Sequence, residues 1–379
     1  MAIEAFTTID EQYMRRAVEL AKTGEGRVSP NPPVGCVLVK NGVVVGEGWH
    51  DRLGSLHAEA MALKNAGAEA KGSTAYVTLS PCTTHGRQPP CADALIRAGV
   101  AKVLVAAPDP NPGNSAGIDV LNAAGIPARS GLLRDEAEYL ARGFFSMMLT
   151  KMPYVTLKYA MTLDGKIAAA SGDSKWISGP ASRRVVHDMR SRHDAVLAGI
   201  GTALADNPLL NVREPTWTER GGASHKQPIR VIVDSRCRLP ADAALLDTKT
   251  NPGGPVVVAC VAGRDEGRAA PLRRAGADVW EFESEDGKVP LRDLLSRLGS
   301  SGVSMVLCES GGTLAAALLR RKLIDEIAAF IAPKAIGGND APGPLGDMGL
   351  ERMADAVPLR VKECKFVEND ILITSLVEK

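Results

Sequence analysis

Apolar positions along the first 110 residues switch between two periods. Met14, Ala17, Val18 and Ala21 recur at helical intervals behind Thr8-Ile9-Asp10-Glu11, a capping-box spacing, so a helix is expected to about Lys22. A Gly/Pro/Asn-rich loop follows over 24–33. Two β-rich runs, 34–39 and 43–46, then flank Asn41-Gly42, a strong hairpin signal. The alanine-rich stretch 58–66 reads as a helix closed by Gly67, and 75–79 as a strand. Residues 91–98 read as a second helix closed by Gly99, and 102–107 as another strand. Alternating strands and helices imply an α/β sheet with helices on its faces. The pattern restarts near residue 150. A helix tail over 142–149 is broken by Lys151-Met152-Pro153, and strands are expected over 154–159, 195–197, 229–233, 256–261, 305–308 and 327–331. Two domains are therefore expected, 1–150 and 151–379, and the Gly/Pro-rich stretch 337–346 reads as a surface loop.

Composition narrows the function classes. The 379 residues carry 45 basic and 44 acidic side chains, a net charge of +1, and only 4% aromatics. A chain without a basic field is a poor partner for nucleic acid, and few aromatics leave little to stack on bases. No apolar run approaches the ~20 residues needed to span a bilayer. The first residues lack the basic-then-apolar order of a secretion signal. Seven cysteines are too few and too scattered for a disulfide framework, so a cytoplasmic protein is expected.

The sharpest chemistry is His57-Ala58-Glu59 with Pro81-Cys82 and Pro89-Pro90-Cys91. Any one of these cysteines alone is most simply a small buried hydrophobe. Together they match the H-x-E…P-C…C signature of zinc deaminases. One imidazole and two thiolates leave a fourth tetrahedral position open to water, whose ionisation zinc brings near neutrality. Departure of an amino group needs a proton, and Glu59 is the candidate to carry it. Two positions apart on a regular helix diverge by about 200°. His57 is therefore expected at the helix mouth and Glu59 in its first turn, with Cys82 and Cys91 where a strand gives way to a turn and a helix. A closed structural site would need a fourth donor, for which His85 is at hand.

Eight residues separate the two cysteines, and Pro81-Cys82-Thr83-Thr84-His85-Gly86-Arg87-Gln88-Pro89-Pro90-Cys91 resembles the long motif of the bifunctional riboflavin-biosynthesis RibD family. Asn31-Pro32-Pro33-Val34-Gly35 is similar to that family's substrate loop. In the second half, the stretches 158–166, 174–178, 199–209 and 309–314 resemble its dihydrofolate-reductase-like domain. The resemblance implies two three-layer α/β/α domains, cytidine-deaminase-like and then dihydrofolate-reductase-like. It implies zinc on His57, Cys82 and Cys91, Glu59 as proton shuttle, and Asn31, His50 and Arg87 against an aminopyrimidine. It implies NADPH contacts at Ala160, Trp176, Thr202, Asp206 and the helix start at Gly311, Gly312, Thr313 and Leu314. Ser235, beside Arg236, would meet the 2′-phosphate. The implied reductase substrate contacts are Lys158, Ser174, Arg190, Leu210, Arg213 and Glu309, the arginines clamping a phosphate. The implied activity is zinc-dependent deamination of a phosphoribosyl diaminopyrimidine, then NADPH-dependent reduction of its ribosyl chain to ribityl, in a homo-oligomer. Independently of any family, a Gly-Gly turn between a strand and a helix N-terminus is an anion site, and a cation at position 87 suits a phosphorylated substrate.

Three residues depart from the family pattern: Met61, Ser80 and Thr84 stand where it commonly has His, Glu and His. They motivate one alternative, a reductase with a degraded zinc half. The alternative of another class is a nucleic-acid deaminase or binding module, opposed by the charge, the aromatic content and the long loop between the cysteines.

Overall fold

The first helix is capped one residue earlier than the spacing suggested. The Thr7 hydroxyl accepts from the Asp10 amide at 3.1 Å and the Thr7 amide donates to the Asp10 carboxylate at 2.9 Å. The box is thus Thr7 to Asp10, because a short Asp in this register reaches back as Glu11 would have from Thr8. The computed structural model describes residues 5–85, 88–213, 227–247, 249–263 and 266–379. It divides into two compact units, Met1–Lys151 and Met152–Lys379.

Unit one runs α1 (Thr8–Lys22), β1 (Gly35–Lys40), β2 (Val43–Trp49), α2 (Ala58–Ala66), β3 (Thr74–Leu79), α3 (Cys91–Ala98), β4 (Lys102–Ala107), α4 (Gly117–Ala123), β5 (Ala128–Ser130), α5 (Arg134–Leu140) and α6 (Arg142–Thr150). The sheet order is β2-β1-β3-β4-β5. The pairs β2–β1 and β1–β3 are antiparallel; β3–β4 and β4–β5 are parallel. Asn41 and Gly42 both take positive φ, as a two-residue hairpin turn requires. Strand alternation sends Cys36, Leu38, Ala75, Val77, Val103 and Val105 to one face under α2, α3 and α4. Val37, Val39, Tyr76 and Leu104 go to the other, under α1 and α5. The result is three layers.

Helix α2 carries the expected proton shuttle, and its seat is unusually tight. Ala58, Ala62 and Ala66 recur every four residues, so one stripe of the helix is methyl-sized. That stripe lies on Gly46 and Gly48 of β2. A Cβ added at Gly48 would fall 2.2 Å from the Ala58 carbonyl oxygen, and one at Gly46 would fall 2.4 Å from that of Ala62. Neither atom can yield without moving the helix backbone.

Unit two runs β6 (Tyr154–Thr162), α7 (Pro180–Arg192), β7 (Ala195–Gly199), α8 (Ile200–Asp206), β8 (Ile229–Val233), β9 (Val256–Val261), α9 (Glu266–Arg274), β10 (Asp278–Phe282), α10 (Leu291–Ser300), β11 (Met305–Cys308), α11 (Gly312–Arg320), β12 (Glu326–Ala332), β13 (Leu359–Val367) and β14 (Asp370–Val377). The nine strands are ordered β10-β9-β8-β7-β11-β6-β12-β14-β13. All neighbours are parallel from β10 to β12, and β14 and β13 close one edge antiparallel. The parallel strands are buried on both faces, which gives near-continuous apolar runs such as Val256–Val261. Helices α10 and α11 cover one face, and α8 and α9 the other. Strands β5, β10, β13 and β14 were not foreseen. The stretch 337–346 is the expected surface loop, exposed or half-buried at all but Ala341, and it is tied down: the Ala341 carbonyl accepts from Lys166 Nζ and Gly346 N–H donates to the Gly312 carbonyl. No helix among the described residues is long and apolar enough to cross a membrane.

Replacing Gly48 by Ala is expected to push α2 off β2 and cost about 1–3 kcal/mol as an overpacked contact. The metal content and the activity expected of unit one should fall while the activity expected of unit two is unchanged. Chemical denaturation with metal analysis checks it.

Candidate active site

In unit one the ends of three elements meet. His57 is the residue before α2, with extended backbone (φ −66°, ψ 158°), and Glu59 lies in the first turn, so their side chains converge although two positions apart. Cys82 follows β3, and Cys91 is the first residue of α3. His57 Nδ1 lies 3.3 Å from Cys91 Sγ and 3.7 Å from Cys82 Sγ. A tetrahedral zinc with ordinary bond lengths separates imidazole nitrogen from thiolate sulfur by about 3.6 Å. Among the described residues, the three are a group whose donor atoms all lie within 4.8 Å of one another. His85 is exposed and outside it, so it does not close the site.

The charges in this pocket call for a cation. The Cys91 side chain donates toward Cys82, and with His57 and the Cys91 amide it draws the Cys82 thiol below its usual range. The Cys82 sulfur, with burial, holds the Cys91 thiol up. The protein alone therefore stabilises one thiolate of the two. Burial first, and then the Cys82 charge, push the Glu59 carboxyl up to about 7. Asp109, at the same cavity, is raised by burial too. No lysine or arginine is among the described residues lining the cavity. A divalent ion bound to both thiolates resolves this arrangement.

The cavity holds about 530 Å³ and is lined by His57, Glu59 and Cys82 together with Asn31 and His50. His50 is buried rather than on a surface loop. Its Nδ1 faces the Leu56 carbonyl at 3.1 Å and its Nε2 faces Asn31 Nδ2 at 3.3 Å. That pairing assigns the proton to Nδ1 and leaves Nε2 accepting from the amide, and burial keeps the ring's proton affinity low. Arg87 lies outside the described residues. Gln88 does line the cavity: its amide donates to the Ser55 carbonyl at 2.9 Å.

Asp109, Asn111 and Asn114 also line the cavity and were missed. The signal was Asp109-Pro110-Asn111-Pro112, a turn at the carboxyl end of a parallel strand, where such folds bind ligands. Of the three departures, Met61 packs toward Gly48. Thr84 donates to Asn114 Oδ1 at 2.8 Å. Ser80 is buried at the cavity wall, and its hydroxyl has no hydrogen-bond partner among the described residues.

In unit two, Thr202 follows the carboxyl end of β7, Ser235 that of β8, and Glu309 with residues 311–314 that of β11, while Lys158 and Ala160 lie within β6 and Arg190 in the last turn of α7. Gly311 precedes α11, and its N–H donates to Thr202 Oγ1 at 3.0 Å. Ser174 Oγ and Asp206 Oδ1 are 3.5 Å apart. Trp176 is exposed, with the Arg183 guanidinium 4.4 Å from its ring centre. Gly312 meets Gly346 so closely that a Cβ would fall 2.7 Å from its nitrogen, so tight backbone contact is one reason for glycine there. Ser235 follows β8, and its hydroxyl accepts from the Val289 amide at 3.1 Å. Ala160 lies on β6 and Leu314 on α11.

Glu309 organises the proposed substrate side. Arg190 grips it with Nε at 2.6 Å and Nη2 at 3.0 Å and donates Nη1 to the Asn211 carbonyl. The forked edge of Arg190 is thus spent on Glu309, not left for a phosphate as the sequence had suggested. Lys158 Nζ sits 3.8 Å from Glu309. Burial alone would raise the Glu309 carboxyl, but Arg190 and then Lys158 override it and hold the group at about 2. Lys158 is lowered, chiefly by burial. Arg213 Nη1 donates to Asn211 Oδ1. The Leu210 side chain is in the core, which leaves its backbone, at positive φ, for any contact. His187, unforeseen, is buried beside Arg190 and Arg213 and held neutral down to about 4, by burial first.

The folds and sites define a hydrolytic deaminase of the zinc type joined to a reductase. Residues 7–107 match the cytidine and deoxycytidylate deaminase zinc-binding region, and residues 153–373 match the RibD C-terminal domain. The chain is 42% identical to the riboflavin biosynthesis protein RibD of Escherichia coli, with 96% of this chain and 98% of that one covered. A solved structure of Acinetobacter baumannii RibD superposes with a TM-score of 0.84 at 40% identity, covering 98% of this chain and 99% of that one. A Thermotoga maritima diaminohydroxyphosphoribosylaminopyrimidine deaminase/5-amino-6-(5-phosphoribosylamino)uracil reductase gives 0.83 at 33%, with the same coverage. The chain belongs to the RibD family and is a bifunctional deaminase and reductase of riboflavin biosynthesis.

Glu309→Gln should cost roughly 3–5 kcal/mol, because it strands two largely buried cations. The folded-state value is depressed from the ordinary ~4.3. The stabilisation is therefore present above that value and lost as pH falls through about 2. The gap in urea midpoint between wild type and Glu309→Gln should be full at pH 6 and shrink steadily below pH 4.5.

Proposed function

We propose that unit one deaminates 2,5-diamino-6-(5-phosphoribosylamino)pyrimidin-4(3H)-one and that unit two reduces the ribosyl chain of the product to ribityl with NADPH. The deaminase reading is carried by one observation: two sulfurs and an imidazole converge at tetrahedral zinc spacing against a buried carboxyl. His57, Cys82 and Cys91 would hold the metal. Zinc bound there supplies Lewis acidity that brings water ionisation near neutrality. Glu59 does the proton work. A buried carboxyl beside the metal donors takes a proton from the attacking water and returns it to the departing amine, so ammonia leaves as a neutral molecule. His50 holds the Asn31 amide in place, which leaves the other amide hydrogen and the carbonyl oxygen of Asn31 for a planar heterocycle, and Arg87 would face the phosphate.

In unit two, Ala160, Trp176, Thr202, Asp206, Ser235 and residues 311–314 would hold the dinucleotide, with the open start of α11 toward its pyrophosphate. NADPH supplies the hydride that reaches C1 of the ring-opened sugar. Glu309, fixed by Arg190, keeps Lys158 charged in a buried setting, where the ammonium can hydrogen-bond a sugar oxygen and release a proton to it. With Arg190 committed to Glu309, Arg213 is the better phosphate arm, and Ser174 and the Leu210 backbone would complete the substrate side. Seven cysteines without a disulfide suit a reducing cytoplasm.

Glu59→Gln should lower deamination at least about 100-fold while zinc content and reductase turnover on the deaminated product stay at wild-type level. Near-normal deamination by that variant removes Glu59 from the chemistry. Loss of both activities together contradicts two separate sites.

A further inference from the structure

Asp164 has no part in either reaction as described, yet its carboxylate is the most heavily used acceptor in its neighbourhood. It accepts from Thr162 Oγ1 at 2.5 Å, from Gly337 N–H at 2.7 Å and from Ile336 N–H at 3.2 Å. These donors fix it as a carboxylate, the Thr162 hydroxyl foremost. The last two are amides of the irregular segment 333–346, which follows β12. That segment is stitched along its length to the turn after β6. The Leu163 amide donates to the Lys334 carbonyl at 2.8 Å, the Ile167 amide to the Pro342 carbonyl at 2.9 Å and Lys166 Nζ to the Ala341 carbonyl at 3.0 Å.

Both ends of the segment reach the proposed dinucleotide groove. Lys334 Nζ donates to the Trp176 carbonyl at 2.7 Å, and Gly346 N–H donates to the Gly312 carbonyl at 3.0 Å. The segment is a strap from the exposed tryptophan to the open start of α11. Three large apolar side chains stay exposed where it is tied down: Leu163 (70%), Trp176 (64%) and Ile336 (53%). Their backbones are joined through Lys334 and Asp164, so they share one lip. An apolar lip at one end of the strap, with the open start of α11 at the other, suits a ligand with planar rings at the ends of a pyrophosphate.

We propose that Asp164 is a positioning residue for the dinucleotide, acting through the strap 333–346, which forms one wall of the cofactor groove. This rests on the reading of unit two as NADPH-dependent. The carboxylate touches no reacting atom. It sets where the strap runs, and the strap sets how well the dinucleotide is enclosed. Cutting the tether therefore weakens cofactor binding more than it slows hydride transfer.

The test uses the full chain, with NADPH itself as the probe. The dissociation constant is read from nicotinamide fluorescence, alongside KM and kcat of the reductase, deaminase rate and melting temperature without cofactor. Asp164→Ala should raise the NADPH Kd and KM about 10-fold, the loss of charge-assisted bonds to two amides, with kcat within about 3-fold. Asp164→Asn, which keeps one acceptor oxygen, should fall between. Lys334→Met, which cuts the tether to Trp176, should weaken NADPH in the same sense and serves if Asp164→Ala does not fold. Deaminase rate should not change. An NADPH Kd within twofold of wild type in Asp164→Ala and Lys334→Met overturns the proposal and leaves the reductase reading intact. A lowered melting temperature with unchanged Kd does the same, since it marks a purely structural tether. A wild-type chain that fails to bind NADPH overturns the reading and the proposal together.

Discussion

Two thiols, an imidazole and a carboxyl are held within a few ångströms of one another under the start of α2, and no lysine or arginine among the described residues shares their cavity. Like charges cannot be collected in a dry place without a counter-charge. The protein on its own settles for one thiolate and pushes Glu59 up to about 7. A divalent cation removes that tension and is the one partner that suits all three donors at the observed spacing. The pocket shape, the neutral His50 and the placement of Asn31 make chemical sense once that charge is supplied.

The geometry is secured by backbone packing rather than by further ligands. The alanine stripe of α2 lies on the glycines of β2 at distances that exclude any side chain, which fixes the height of His57 and Glu59 above the sheet. Cys82 and Cys91 are fixed by the exit of β3 and the first turn of α3, where the Cys91 amide, 3.4 Å from Cys82 Sγ, adds a dipole toward the sulfur. In unit two the same economy serves a different chemistry. At the end of β11 a largely buried Lys158–Glu309–Arg190 chain of ion pairs takes the place that the proposed zinc donors have in unit one. There the protein supplies its own counter-charges.

Much of this was legible in the sequence where local chemistry decides structure. Asn41-Gly42, Gly67 and Gly99 marked ends that sterics impose, and the spacing of His57, Glu59, Cys82 and Cys91 is local enough to read as one constellation. What was not legible depends on partners distant in sequence. Strand β13 is exposed along nearly its whole length and carries no strong apolar alternation, so only its pairing with β14 shows it as a strand. Asp109 and Asn114 join the cavity because β4 lies beside β3. Arg190 read as a phosphate clamp because its commitment to Glu309, 119 residues away, is invisible in one dimension.

X-ray absorption at the zinc edge of the full chain, purified without added chelator, tests the central claim most directly. One zinc per chain with two sulfur and two nitrogen or oxygen neighbours, one of them exchangeable solvent, is the expected result. A chain without zinc, or a zinc enclosed by four protein donors, contradicts it.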